Sequence, residues 1–118
     1  MGIQLKRIYE APSPDDGIRI LVDRLWPRGL SKADAKLDDW LRSAAPSNEL
    51  RKWFHADRSQ WGEFRRRYLS ELKVHSEDLR QLSELSKRKR ITLLYSSKDE
   101  ERNNAVVLRE YLLKLGAS

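Results

Sequence analysis

The sequence predicts a single α/β domain, residues 1–118, built on a small, largely parallel sheet of three or four strands with packed helices and a helical insert. Three observations carry that expectation. Two short, almost continuously apolar runs, residues 18–22 and 91–95, read as strands covered on both faces. Residues 47–88 between them show apolar side chains at helical spacing, so the insert is helical. The chain then closes with an apolar strand, a polar loop and an amphipathic segment at 103–115, which is the βα unit of a parallel sheet. A length of 118 residues suits one hydrophobic core and no more.

Along the chain, residues 3–9 set Ile3, Leu5 and Tyr9 among polar neighbours, the period of a strand with one wetted face, so an edge position is expected. Residues 11–17 carry two prolines and an Asp15-Asp16-Gly17 tail that neither helix nor strand accommodates, and a loop follows. The strand at 18–22 should be central. It stops at Trp26-Pro27-Arg28-Gly29, where Pro27 lacks a donor and Gly29 admits a positive φ. Ser31 starts a short helical turn, and residues 37–41, too short to assign by period, lean to a short strand. Ser47 can cap a helix with Leu50, Trp53 and Phe54 on one face. Trp61, Phe64, Tyr68 and Leu72 recur at helical spacing in the next, with Arg65, Arg66 and Arg67 on other faces. A third helix opens at Ser76 or Glu77, turns Leu79, Leu82 and Leu85 inward, and closes on the cationic run 87–90, favourable at a helix C-terminus. In the last helix Ala105, Leu108, Leu112 and Leu115 share a face.

Composition removes several function classes. With no cysteine, a disulfide framework, a thiolate nucleophile and Cys-ligated metals are excluded. No stretch has the character of a signal peptide or approaches the roughly 18 apolar residues of a membrane span, and Lys6 stands where a myristoylation signal needs Ser or Thr. A cytoplasmic protein without a membrane partner is expected. Gly-rich dinucleotide, Walker and nucleophile-elbow motifs are absent, and His55 and His75 lack metal-ligand spacing, so no cofactor and no metal are expected. The 24 Lys and Arg against 18 Asp and Glu give a net charge of +6, which favours anionic partners.

Ligands of open α/β sheets bind beyond the carboxyl ends of the strands. Two such ends carry chemistry here: Asp23-Arg24-Leu25-Trp26-Pro27-Arg28-Gly29 after residues 18–22, and Ser96-Ser97-Lys98-Asp99, leading to Asn103 and Asn104, after residues 91–95. If the two strands are parallel neighbours, the clusters meet at one edge. Arg24 and Arg28 then become clamps for a phosphate-bearing or other small anion, because a guanidinium fork matches that geometry. A hydrolase- or transferase-type enzyme at the same place would use Asp23 or Asp99 as general base, although no nucleophile with an adjacent base is visible. The structural alternative makes Asp23 and Arg24 a surface ion pair, Trp26 a core anchor, and Ser96, Ser97 and Asp99 helix caps. A third functional class uses Arg65, Arg66 and Arg67 with the 87–90 run as a nucleic-acid or protein interaction surface.

The stretches Ile20-Leu21-Val22-Asp23-Arg24-Leu25-Trp26-Pro27-Arg28-Gly29, Ala45-Pro46-Ser47, Leu50-Arg51-Lys52-Trp53-Phe54 and Thr92-Leu93-Leu94-Tyr95 together resemble the YeaO-like family (DUF488), bacterial domains of unknown function. The resemblance runs from Ile8 to about Leu113. It implies a bacterial or archaeal cytosolic protein and supplies no activity. Its hallmark segments include Asp23, Arg24, Trp26, Arg28, Arg51, Tyr95, Asp99 and Asn103, which brings Arg51 into a ligand-binding set of Arg24, Trp26, Arg28, Arg51, Tyr95, Ser96 and Asn103.

Overall fold

Two apolar strands flanked by shorter or wetter ones organise the molecule. In the computed structural model, which describes residues 2–118, β1 (Gly2–Arg7), β2 (Ile18–Leu21), β3 (Asp39–Trp40) and β4 (Arg90–Tyr95) form one sheet in the order β1-β4-β2-β3. Every neighbouring pair is parallel. The expected edge and central positions of β1 and β2 are those observed. The segment at 37–41 supplies only the two-residue β3, paired with Ile20 and Leu21.

Because side chains alternate across a strand, β2 and β4 each feed two cores. Ile3, Ile20, Val22, Ile91, Leu93 and Tyr95 pack under α2 (Asn48–Ala56), α3 (Trp61–Lys73), α4 (Ser76–Leu85) and α5 (Asn104–Lys114). Leu21 and Leu94 point the other way, against Ile8, Ala35 of the short α1 (Lys32–Ala35), Trp26, Leu30, Leu37 and Trp40. Leu72, Leu79, Leu93, Leu94 and Leu108 are at most 1% exposed, and each such side chain contributes roughly 1.5–3 kcal/mol by leaving water. Phe54, Trp61 and Phe64 stack in series, with Phe54 and Phe64 centroids 4.4 Å apart. The buried Tyr68 donates its hydroxyl to the Ala44 carbonyl, which ties α3 to the chain entering α2.

Beneath the sheet, opposite the helices, lies a polar centre. Asp16 and Arg19 are 2% and 5% exposed. Asp16 accepts from the Ser13 amide, Lys6 and Arg19, and Arg19 also donates to the carbonyls of Ala35 and Lys36. The loop-ending Asp16 is thus more than a turn former: its carboxylate neutralises a buried guanidinium. Next to it, Gly17 has φ 64°, and a Cβ there would run into the Arg90 carbonyl, so only glycine lets the loop pass the start of β4. No helix among the described residues is long and apolar enough to cross a membrane.

Candidate anion-binding cavity

The paired register of β2 and β4, Leu21 opposite Leu94, makes the two strands stop side by side. Their ends are stapled by Asp23. Its Oδ2 accepts from the Ser96 amide at 2.9 Å and the Ser96 hydroxyl at 2.7 Å, and its Oδ1 accepts from the Asn104 side chain at 3.1 Å. Asn104 also donates to the Val22 carbonyl, so the first turn of α5 is fixed to the same point. Arg24 turns the other way and donates from Nε to the Pro46 carbonyl and from Nη2 to that of Ala45. The costly step from an apolar strand into Asp-Arg is therefore met by partnering each group separately, not by a mutual ion pair.

The remaining walls come from three further elements. At the end of β1, Arg7 donates to the carbonyls of Ser96 and Ser97 and lies over the Tyr9 ring at 5.3 Å. Tyr9 donates to the Arg28 carbonyl and Trp26 to that of Leu30, which fixes the loop after β2 while the exposed Arg28 side chain makes no hydrogen bond among the described residues. On α2, Ser47 caps the helix through the Leu50 amide, and Arg51, Phe54 and His55 follow at helical spacing on one side.

These elements enclose a cavity of about 690 Å³. Arg7, Arg24, Arg28, Arg51, Arg58 and Lys98 line it, against Asp23 as the one carboxylate. The Arg51 Nε is buried without a hydrogen-bond partner, a group that ordinarily costs about 1–3 kcal/mol. Burial, then the charges of Arg58 and Arg51, hold the His55 imidazole below its ordinary range. The cavity concentrates positive charge, with His55 on its wall, an arrangement suited to charge-assisted hydrogen bonds to a multivalent anion.

A family description of "Inactive DUF488-N3 subclade" matches residues 2–117. The chain belongs to the YeaO-like DUF488 family. It is similar to the uncharacterized protein YeaO of Escherichia coli (strain K12), at 46% identity over 115 residues, 98% of this chain and 100% of that protein. It is also similar to the uncharacterized protein Rv3073c of Mycobacterium tuberculosis (strain H37Rv), at 39% identity over 110 residues, 93% of this chain and 92% of that one. No solved structure matches. These YeaO-like relatives carry no assigned activity, so the function rests on the cavity.

Of the residues the sequence singled out, Asp23, Arg24, Trp26, Arg28, Arg51 and Ser96 line the cavity. Tyr95, Asp99 and Asn103 do not. Tyr95 is 3% exposed in the helix-side core, and burial pushes its hydroxyl up. Asn103 is the cap of α5, accepting from the Val106 amide and donating to the Asp99 carbonyl. The amides of Arg102 and Glu101 donate to the Asp99 carboxylate and hold it below its ordinary range, the mark of a turn cap. Ser96, a helix cap in the structural alternative, lines the cavity as a partner of Asp23.

Among the polar lining residues, four lie outside the strand-end clusters and hallmark segments the sequence singled out: Arg7, Tyr9, His55 and Arg58. A signal existed for Arg7, which continues the Ile3–Leu5 alternation and so ends β1 on the helix side. For Arg58 there was none, since its place depends on the turn after α2. Among the described residues, no group of three or more His, Asp or Glu is arranged to hold a metal ion.

Proposed function

We propose that this protein binds a small phosphate-bearing anion in the cavity at the carboxyl ends of β2 and β4. The observation that carries the reading is the charge balance: six cationic side chains face a carboxylate already committed to three hydrogen bonds. An anion would give the stranded Arg51 Nε a partner and lower the repulsion among the arginines. Binding is favoured over catalysis because neither expected general base is poised: Asp23 is occupied and Asp99 stands outside the cavity wall. The family's description as an inactive subclade points the same way. The basic helix faces are a weaker interaction surface than their sequence suggests, since Arg65 pairs with Glu110 and both Arg66 and Arg67 with Glu63. A cytoplasmic location is part of the same proposal, since a phosphate-bearing small molecule would be met there.

A thermal-shift screen of phosphate, pyrophosphate and phosphate esters tests this, because a ligand at 100 times its Kd stabilises the fold by about 2.7 kcal/mol. Arg28→Lys should keep the melting temperature and weaken the binding, since an ammonium cannot reproduce the planar fork. Charge reversal at Arg65, Arg66 and Arg67 should change neither. If DNA shifts the melting temperature where phosphate compounds do not, and that reversal abolishes the effect, the cavity is not the binding surface.

A further inference from the structure

The cavity is too large for a bare anion. Its volume of about 690 Å³ falls within the roughly 300–1,000 Å³ of sites that enclose whole small molecules. Its lining is mixed at every depth. The less exposed part holds Arg24, pinned by two backbone carbonyls, the buried Nε of Arg51, and the buried rings of Phe54 and Phe64. The exposed part holds Tyr9 and Leu25, 44% and 55% exposed, beside the cations Arg28, Arg58 and Lys98. Single exposed apolar side chains need no explanation, but these two stand on the rim of one charged cavity. The loop that presents Leu25 is fixed from both sides by the hydrogen bonds of Tyr9 and Trp26 to backbone carbonyls. Such a rim is not a loose end of the chain. It offers flat and aliphatic surface to whatever the arginines hold.

We infer that the ligand is a nucleoside phosphate, its phosphate directed inward to Arg24 and Arg51 and its base resting at the mouth against Tyr9 and Leu25. The inference rests on the anion-binding reading above and adds the ring. A nucleoside phosphate matches this mixed lining: a dianionic end that accepts charge-assisted hydrogen bonds from the Arg51 Nε and the guanidinium N–H groups left free, a sugar of intermediate polarity, and a flat base whose face packs on apolar surface whatever its edge.

Isothermal titration calorimetry on the full chain separates the two layers of the argument. The probes are the four nucleoside 5′-monophosphates, ribose 5-phosphate, inorganic pyrophosphate, adenosine and a short 5′-phosphorylated single strand. Nucleoside monophosphates should bind roughly tenfold more tightly than ribose 5-phosphate, the smaller end of what a stacked base contributes. Leu25→Asn, at an exposed position where folding is not at risk, should erase that margin and leave pyrophosphate binding unchanged. Arg51→Met should weaken every phosphate probe. Ribose 5-phosphate binding as tightly as the nucleotides would overturn the ring and leave the anion site standing. Silence from all phosphate probes, or adenosine binding as well as its monophosphate, would overturn both. A single strand that outcompetes the free nucleotides would move the same chemistry to a strand terminus and overturn the free ligand.

Discussion

Two groups of cations border one sheet, and the protein treats them in opposite ways. Beneath the sheet, Arg19 is almost wholly buried, and its guanidinium is consumed by Asp16 and two backbone carbonyls, while Lys6 closes the other side of that carboxylate. At the strand ends, six cations converge on a cavity whose carboxylate is turned to a structural task. Both arrangements place positive charge next to apolar core. The first supplies the counter-charge from the chain itself; the second leaves it to be supplied. The two groups differ in partner as well as in exposure: Arg19 is buried against a carboxylate of its own, whereas Arg28, Arg58 and Lys98 stand exposed without one among the described residues.

The largest effect should come from breaking the closed group. Asp16→Ala leaves Arg19 charged and buried without its carboxylate, an arrangement that costs about 3–5 kcal/mol, measurable by urea unfolding. Acid should reach the same place by another route. Burial raises the Asp16 carboxyl, but the Ser13 amide, Lys6 and Arg19 bring it net below its ordinary 3.8. A carboxylate lowered in the folded state adds stability above the unfolded value, and that stability disappears as pH falls below about 4. Unfolding midpoints of wild type and Asp16→Ala should therefore approach each other in acid. A constant gap between the two proteins from neutral pH to pH 2 would show that the carboxylate is not the neutralising group.

A smaller effect is expected at the carboxylate of the open group. Asp23→Ala removes three hydrogen bonds that join β2 to the loop after β4 and to α5, and a loss of about 1–3 kcal/mol follows from the unpaired Ser96 amide and Asn104 side chain. Because the change also deletes the cavity's negative charge, anion affinity of the folded variant should hold or rise. An affinity that collapses while the fold survives would make Asp23 a ligand contact and not a strut.

Much of this was legible from the chain. An apolar run that stops abruptly on charged residues identifies a strand end, and two such runs joined by helices imply parallel neighbours, so the meeting of the Asp23–Arg28 loop with Ser96 follows from residue types alone. Choosing among close neighbours was not legible. Ser96, Asp99, Asn103 and Asn104 are all short polar residues, and which of them faces the cavity depends on where α5 begins: Asn103 caps it, and that turns Asn104 toward Asp23. β3 was ambiguous because two residues have no period, and it is held in place by what Ile20 and Leu21 offer. Asp16 looked like turn punctuation because its buried partner Arg19 sits inside a run that reads as apolar.

Next in size is a substitution expected to strengthen the fold while weakening function. The Arg51 Nε is buried with no acceptor, so Arg51→Met, which keeps the aliphatic stem and removes the donor, should leave the melting temperature unchanged or raise it by the equivalent of about 1 kcal/mol. Phosphate-probe affinity should fall in the same variant. At Arg19 no such separation is available, because its guanidinium already has its partners. A drop in melting temperature for Arg51→Met would mean that the side chain packs the α2 surface and that the missing acceptor is not a ligand's.

The smallest effect is the most direct report on the open group. Burial disfavours the charged His55 imidazole, and the neighbouring Arg58 and Arg51 disfavour it further, so its NMR titration should be centred below the ordinary 6.5. The sign for stability follows: neutral in both states above pH 6.5, the residue costs nothing there, and as pH falls the unfolded chain takes the proton more readily, so stability declines slightly. His55 is exposed enough that solvent screens most of this, and the titration itself is the better measurement. An anion seated between Arg51 and Arg58 reverses the local field. Saturating pyrophosphate should therefore move the His55 midpoint upward, and Arg51→Met should move it upward even without pyrophosphate, because one of the two opposing charges is gone. A His55 midpoint unmoved by an anion that calorimetry shows to be bound would place that anion elsewhere on the surface, and the open group of cations would have lost its claim to be the site.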